Sequence, residues 1–241
     1  MDYTKLVILA QQNTKEFSEL LQNIPYERKG ILYSEMFFLW LCTFSHPPKR
    51  ILESGRARGQ STLLLAHMFP EAEIISIEHD KKSADVPVAQ ERLKNFSNVK
   101  LLFGDSQVLL PPLASEVDNT LVLIDGPKGF RGLRLAFKLL ANKNVNQVFF
   151  HDSTKGTKER EFLERYLPKT LYSDDPKIAS YTYELDAIGG GEIPENLKFK
   201  SNEYYGFSLA CMSKDSDYAV NKLIALAYWQ QLVNRVKENL F

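Results

Sequence analysis

The stretch Arg50-Ile51-Leu52-Glu53-Ser54-Gly55-Arg56-Ala57-Arg58-Gly59-Gln60-Ser61-Thr62 decides how the rest of the chain is read. Its first residues make a run short enough for a strand, Gly55 and Gly59 make a corner, and Gln60-Ser61-Thr62 opens a helix with capping hydroxyls. A strand that turns into a helix through glycine lets backbone approach a ligand beyond the carboxyl end of a sheet. The dinucleotide fingerprint G-x-G-x-x-G, aimed at a pyrophosphate, does not fit this glycine spacing. Glu53 stands just ahead of the corner, where a carboxylate repels phosphate and suits a cationic ammonium. Arg56 and Arg58 either bind phosphate or are exposed loop residues, the commoner state of arginine.

Outward from this corner, β-rich runs at 50–54, 73–79, 99–104, 120–125 and 147–152 alternate with helix-like segments at 60–68, 86–95, 107–114, 130–141 and 157–166. That rhythm predicts a parallel sheet with crossover helices, and the unbroken Leu121-Val122-Leu123-Ile124 suits burial on both faces. After the fifth unit, 180–185 and 205–212 read as two more strands with no helix between them, hence antiparallel. Ahead of the corner, Leu6, Leu9, Phe17, Leu20 and Leu21 mark an amphipathic helix, and 33–44 a second, nearly all apolar one that Pro47-Pro48 ends. The tail 217–240 carries Val220, Leu223, Ile224, Ala227 and Val233 at helical spacing, for docking on the body or on a second subunit. A homodimer is therefore one expectation. Gly189-Gly190-Gly191 is a lid hinge or a plain loop, and Tyr204 and Tyr205 line a pocket or pack.

The 241 residues, 44% hydrophobic and 25% charged, suit one α/β domain over 1–241. Its parts are N-terminal helices at 1–46, a cofactor-binding half at 50–155, a substrate half at 156–213 and the C-terminal helix. Thirty basic and thirty acidic residues cancel, so the field expected of a nucleic-acid binder is missing. No stretch approaches the roughly 20 apolar residues that cross a bilayer, and no secretory signal opens the chain. With Cys42 and Cys211 both inside apolar runs, a reducing cytoplasm is the expected address.

The second run ends in Ile77-Glu78-His79-Asp80, and Glu78 falls at roughly the 20-residue interval at which an acid accepts ribose hydroxyls. Nicotinamide and methionine-type nucleotides would both use it. Asp125 and Asp152 end the fourth and fifth runs, as an acid pair near a substrate or as plain strand-end residues. Lys128 is a candidate for function through its spacing to Asp125, and His151 is a base, a ligand or a structural residue.

Over roughly residues 50–155 the chain resembles the class I S-adenosylmethionine-dependent methyltransferases, and among them the small-molecule O-methyltransferases related to catechol O-methyltransferase. Glu53, Gly55, Gly59 and Ser61 fall on the family's E-x-G-x-x-x-G-x-S pattern, with Thr62 beside it. Glu78, followed by His79, matches the ribose-binding acid, and Gly104-Asp105-Ser106-Gln107 matches G-x-S-Q, whose serine and glutamine lie against adenine. The resemblance implies a Rossmann-like methyltransferase fold, a seven-stranded, mostly parallel sheet with an antiparallel last strand and helices on both faces. It also implies S-adenosylmethionine as cofactor, Asp125 as ligand to a divalent cation such as Mg²⁺, and Lys128 as general base. Where the family has Asp-Asn as further metal ligands this chain has Asp152-Ser153, a hydroxyl in place of an amide oxygen. Lys128, Asp125, Asp152 and His151 are thus the expected catalytic set, and Asp125, Asp152 and Ser153 the expected metal set. The fourth run lacks the prolines and aromatic of adenine and glutamine methyltransferases, so the implied acceptor is a small molecule's hydroxyl. A nicotinamide-dependent oxidoreductase and a non-catalytic binding or assembly protein are the alternatives.

Overall fold

The computed structural model describes residues 2–22, 24, 25, 27, 30–187, 208–214 and 219–240. Two helices come first, α1 (Tyr3–Leu21) and α2 (Tyr33–Thr43). Strands and helices then alternate as β1 (Arg50–Ser54), α3 (Gln60–Met68), β2 (Glu73–Glu78), α4 (Asp85–Leu93), β3 (Val99–Phe103), α5 (Ser106–Ala114), β4 (Thr120–Ile124), α6 (Gly129–Leu140), β5 (Val145–Phe150) and α7 (Lys158–Tyr166). The chain ends with β6 (Leu171–Tyr172), α8 (Pro176–Thr182), a 3-10 turn Tyr183–Ala187, β7 (Ala210–Ser213) and α9 (Val220–Leu240).

The sheet has the order β3-β2-β1-β4-β5-β7-β6. The first five strands pair in parallel, and β7 runs antiparallel to both β5 and β6. Alternation along the strands sends side chains to two cores. Ile51, Ile74, Leu121, Leu123 and Phe149 join α1, α2 and α3 on one face. Leu52, Ile75, Val122, Ile124 and Val148 meet α5, α6, α7 and α9 on the other. This three-layer arrangement is the α/β architecture expected, with both faces of β1 and β4 buried as a parallel sheet requires.

Helix α2 is apolar nearly all round because it is covered all round: among its residues only Trp40 is not buried. Phe17 of α1 packs against Phe37 of α2 at 4.7 Å between ring centroids, which fixes the N-terminal pair on the sheet.

One expectation is corrected. Residues 180–185 are not a strand: they finish α8 and enter the 3-10 turn, and across 178–185 the buried Ile178, Thr182 and Leu185 fall at helical spacing. Asp175-Pro176 starts that helix. The Asp175 side chain accepts from Lys177 N at 3.0 Å, and proline suits the first turn because it has no N–H to leave unpaired. The partner of β7 is instead the two-residue β6. Of the strand expected at 205–212, residues 208–212 are described and carry most of β7, while Tyr204, Tyr205 and Gly189-Gly190-Gly191 lie outside the described residues. Among those described, no helix is long and apolar enough to cross a membrane.

Candidate functional site

Five parallel strands end on one edge of the sheet, and the charged residues that follow them meet there. Gly55 closes β1 with φ +94°, and a Cβ placed on it would sit 2.7 Å from Gly126 N. Only glycine allows the corners after β1 and β4 to approach this closely. Gly126 N and Asp125 N both donate to Ser54 O, at 3.0 and 2.8 Å, so the two corners are laced together.

Beside them opens a crevice of about 210 Å³ lined by Gly55, Glu78, His79, Gly104, Ser106 and Arg131 among others. The Glu78 carboxylate is held by three backbone donors: Ala57 N at 2.8 Å on Oε2, and His79 N at 2.8 Å and Asp80 N at 3.3 Å on Oε1. Asp105 accepts from Gln107 N at 2.9 Å and caps α5, and the buried Ser106 hydroxyl reaches towards Gly126 O at 3.5 Å. Gln107 lines a different groove, with Arg134 and Tyr228, away from the crevice.

A second, smaller pocket of about 30 Å³ lies on the other side of Gly55, lined by Glu27, Gly30, Gln60, Ser61 and Asp125 among others. Gln60 is 2% exposed, and among the described residues neither its Nε2 nor its Oε1 has a hydrogen-bond partner. Such a buried, unsatisfied amide calls for a ligand or solvent partner. The sequence reading took Gln60 only as a helix opener.

The structure corrects two readings of the corner. Glu53 does not face either pocket: it is fully buried and accepts from the hydroxyls of Thr62 and, at 2.5 Å, Ser76. Burial raises its pKa, while bonds from Ser61, Ser76 and Thr62 and the charge of Arg56 oppose the rise. Glu53 therefore ties β1, β2 and α3 together under the turn. Arg56 is not an exposed loop residue either. It is 2% exposed, donates to Ser76 O at 2.6 Å, and lies 5.1 Å from the centroid of the Phe103 ring. Arg58 is partly exposed and pairs with Glu27 at 3.2 Å and Asp85 at 3.8 Å.

At the ends of β4 and β5, four charged groups converge. Lys128 Nζ donates to Asp125 Oδ1 and, at 2.6 Å, to Asp152 Oδ2. His151 Nδ1 lies 2.6 Å from Asp125 Oδ1 and 3.3 Å from Asp152 Oδ1. Asp152 has φ +59°, a left-handed conformation that aspartate tolerates and that turns its carboxylate back to the cluster. A fifth group, Glu35 of α2, reaches His151 Nε2 at 3.3 Å and was missed by the sequence reading.

Charge and burial set the protonation of this cluster. Burial raises Glu35 above the usual carboxylate range. Burial also works to lower His151, but Glu35 and Asp125 hold its pKa well above the ordinary imidazole value. Asp125 is pushed up by burial and pulled below its ordinary value by His151 and Lys128. Lys128 is lowered by burial and raised more by Asp125 and Asp152. Ser153 stands apart: it is fully buried and its hydroxyl donates to Phe150 O at 2.9 Å.

No protein-family model matches the sequence, and no curated protein matches it. Solved structures do. The O-methyltransferase from Bacillus cereus in complex with SAH is 19% identical over 88% of this chain and 100% of that one, at a TM-score of 0.47. The O-methyltransferase TomG from Streptomyces achromogenes, in complex with SAM, is 18% identical over 87% and 90%, at 0.47. A protein from Pyrococcus horikoshii described as an RNA methyltransferase is 17% identical over 84% and 98%, at 0.49. The strand order, with its antiparallel β7, is that of the Rossmann-like methyltransferase fold.

Proposed function

We propose that this chain, acting as one domain, transfers a methyl group from S-adenosylmethionine to a hydroxyl oxygen of a small molecule. The observation that carries the reading is Glu78, a carboxylate fixed by backbone amides at the rim of the crevice, with the charged cluster of β4 and β5 across Gly55. Pinned in this way, its remaining lone pairs suit the paired hydroxyls of a ribose. The unsatisfied Gln60 amide in the adjoining pocket suits the polar end of an amino acid.

When bound, the cofactor supplies a methyl group on a sulfonium, open to in-line attack. The chain's task is to align the acceptor and favour its anion. Lys128 is held as an ammonium by two carboxylates, which makes it a stabiliser of an acceptor oxyanion and a poor general base. Asp152, whose side chain is 36% exposed, is the group through which the acceptor's proton passes to water.

The resemblance also implied Mg²⁺. Asp125, His151 and Asp152 present ligand atoms within 4.8 Å of one another. Lys128 Nζ, however, already bonds both carboxylates. As arranged, these residues do not fit a divalent ion, and no step is drawn through one.

The zero net charge argues against a nucleic-acid acceptor. Two buried free cysteines agree with a cytoplasmic address. Calorimetric titration with S-adenosylhomocysteine and with NAD tests the reading. Binding of the first alone supports it; binding of NAD alone assigns an oxidoreductase. Tight S-adenosylhomocysteine binding without methyl transfer across a broad panel of hydroxyl acceptors leaves the non-catalytic alternative.

A further inference from the structure

The cluster that ends β4 and β5 contains two carboxylates facing two cationic side chains, and every opposite-charge pairing among them is made. Asp125 takes both Lys128 and His151 on Oδ1, and Asp152 takes Lys128 on Oδ2 and His151 on Oδ1. A divalent cation between two carboxylates brings two positive charges to the same place. The geometry points to Lys128 and His151 jointly taking the place of a catalytic metal ion, so that protein cations alone stabilise the acceptor's anion. This inference rests on the methyl-transfer reading for its reaction, but not for its test.

Three features support it. First, both ring nitrogens of His151 face carboxylates, Nδ1 towards Asp125 and Asp152 and Nε2 towards Glu35. A neutral imidazole has one donor and one acceptor nitrogen, so it would turn a lone pair towards a carboxylate; the imidazolium donates on both sides. Second, Glu35 is fully buried, its Oε2 also accepts from Leu32 N at 3.0 Å, and it is carried by a helix packed into the core. It is a fixed counter-charge behind the imidazole. Third, an ammonium has three hydrogens. Two of those on Lys128 go to Asp125 and Asp152, and its side chain is 60% exposed, which leaves the third for an oxygen arriving from solvent.

In the reaction, the acceptor's O–H bond breaks and its proton leaves to water by way of Asp152. The oxygen's electron pair forms the bond to the methyl carbon, and the S–C pair returns to sulfur as a neutral thioether. Lys128 and His151 keep their protons throughout. No oxidant or added Lewis acid is needed.

The test is Mn²⁺ titration of the full chain, read by the loss of the free-ion EPR signal, with Mg²⁺ as competitor. The wild type should show no saturable site below about 1 mM, the weak end of protein sites for hard divalent ions. In Lys128→Met/His151→Asn, with the two carboxylates freed of their cations, affinity should rise by about tenfold or more. Micromolar Mn²⁺ binding by the wild type that His151→Ala abolishes overturns the inference and makes His151 a ligand with Glu35 behind it. Should the double variant fail to fold, the wild-type titration decides alone. Failure to bind S-adenosylhomocysteine defeats the methyl-transfer reading without touching this result.

Discussion

The imidazole of His151, at the end of β5, lies 3.3 Å from the carboxylate of Glu35, 116 positions earlier in the chain. Glu35 sits in the first turn of α2, where its side chain also holds the backbone of Leu32. A residue that begins a buried helix thus sets the charge at the candidate site, and the N-terminal helices are part of the chemistry as well as of the core.

Glu35→Gln should lower the pKa of His151. The residue is isosteric and keeps an oxygen for Leu32 N, so the helix start survives. In the folded protein His151 is held well above 6.5, so the stability it contributes is full below that value and is lost as pH rises through the folded pKa. Removing the Glu35 charge should bring that loss to lower pH. NMR titration of the imidazole, one of four in the chain, measures it directly. Unchanged titration in the variant would show that the pair is not coupled.

Glu53→Gln should change stability in a pH-dependent way. Burial raises the Glu53 pKa above 4.5. A carboxyl raised on folding contributes stability that is full below 4.5 and lost as pH rises through its folded pKa. The amide does not titrate, so the wild type should lose ground to the variant as pH rises from 4.5 towards neutrality. Thermal melts of both proteins across that range check this, and parallel curves count against a buried, charge-averse Glu53.

Most of the sheet was legible because buried parallel strands write continuous apolar runs and their helices write a 3.6-residue period. Strand β6 was not, since two residues carry no period, and the alternation in 180–185 imitated a strand while its buried positions followed a helix. The grouping of the candidate residues was legible where they follow strand ends, since Glu78, Asp125, Lys128 and Asp152 come at or just after strands that finish on one edge of the sheet. It was illegible where tertiary packing decides. Nothing local tells that Arg56 is drawn under the corner onto Ser76 O, or that the one acid in an apolar helix, Glu35, faces a histidine from β5. A carboxylate amid so many apolar residues is itself a signal, because a charge is buried there only with a partner.

Gly55→Ala should damage both folding and ligand binding. The substituent would meet Gly126 N at 2.7 Å, with φ at +94°, a conformation that strains any residue with a Cβ. The cost expected for such strain is about 1–3 kcal/mol. A melting temperature lowered by several degrees, together with weaker S-adenosylhomocysteine binding, is the predicted result; a variant equal to wild type in both would mean that the corner has room to relax.

Glu78→Gln should weaken S-adenosylhomocysteine without unfolding the chain. The side chain is only partly buried, and glutamine retains one oxygen for the backbone amides of Ala57 or His79. What is lost is a charge-assisted acceptor for ribose hydroxyls, a loss of about 1.5–3 kcal/mol in binding. Calorimetry at constant pH reads it, with melting temperature as the control. If affinity is untouched, the crevice does not hold a ribose.

Lys128 separates two roles that the same residue can play. As a general base it must lose its proton, yet Asp125 and Asp152 raise its pKa and oppose that loss. As an oxyanion stabiliser it must keep it. Lys128→Arg retains a cation and hydrogen-bond donors, while Lys128→Met removes both. Stabilisation predicts a fall in kcat of about 10²–10³ for methionine, the cost of removing one oxyanion donor, and a partial rescue by arginine. A base predicts that arginine is as inactive as methionine, because a guanidinium does not deprotonate in this range. Rates of the three proteins on a single hydroxyl acceptor decide between the two, since arginine keeps the charge but cannot give up the proton.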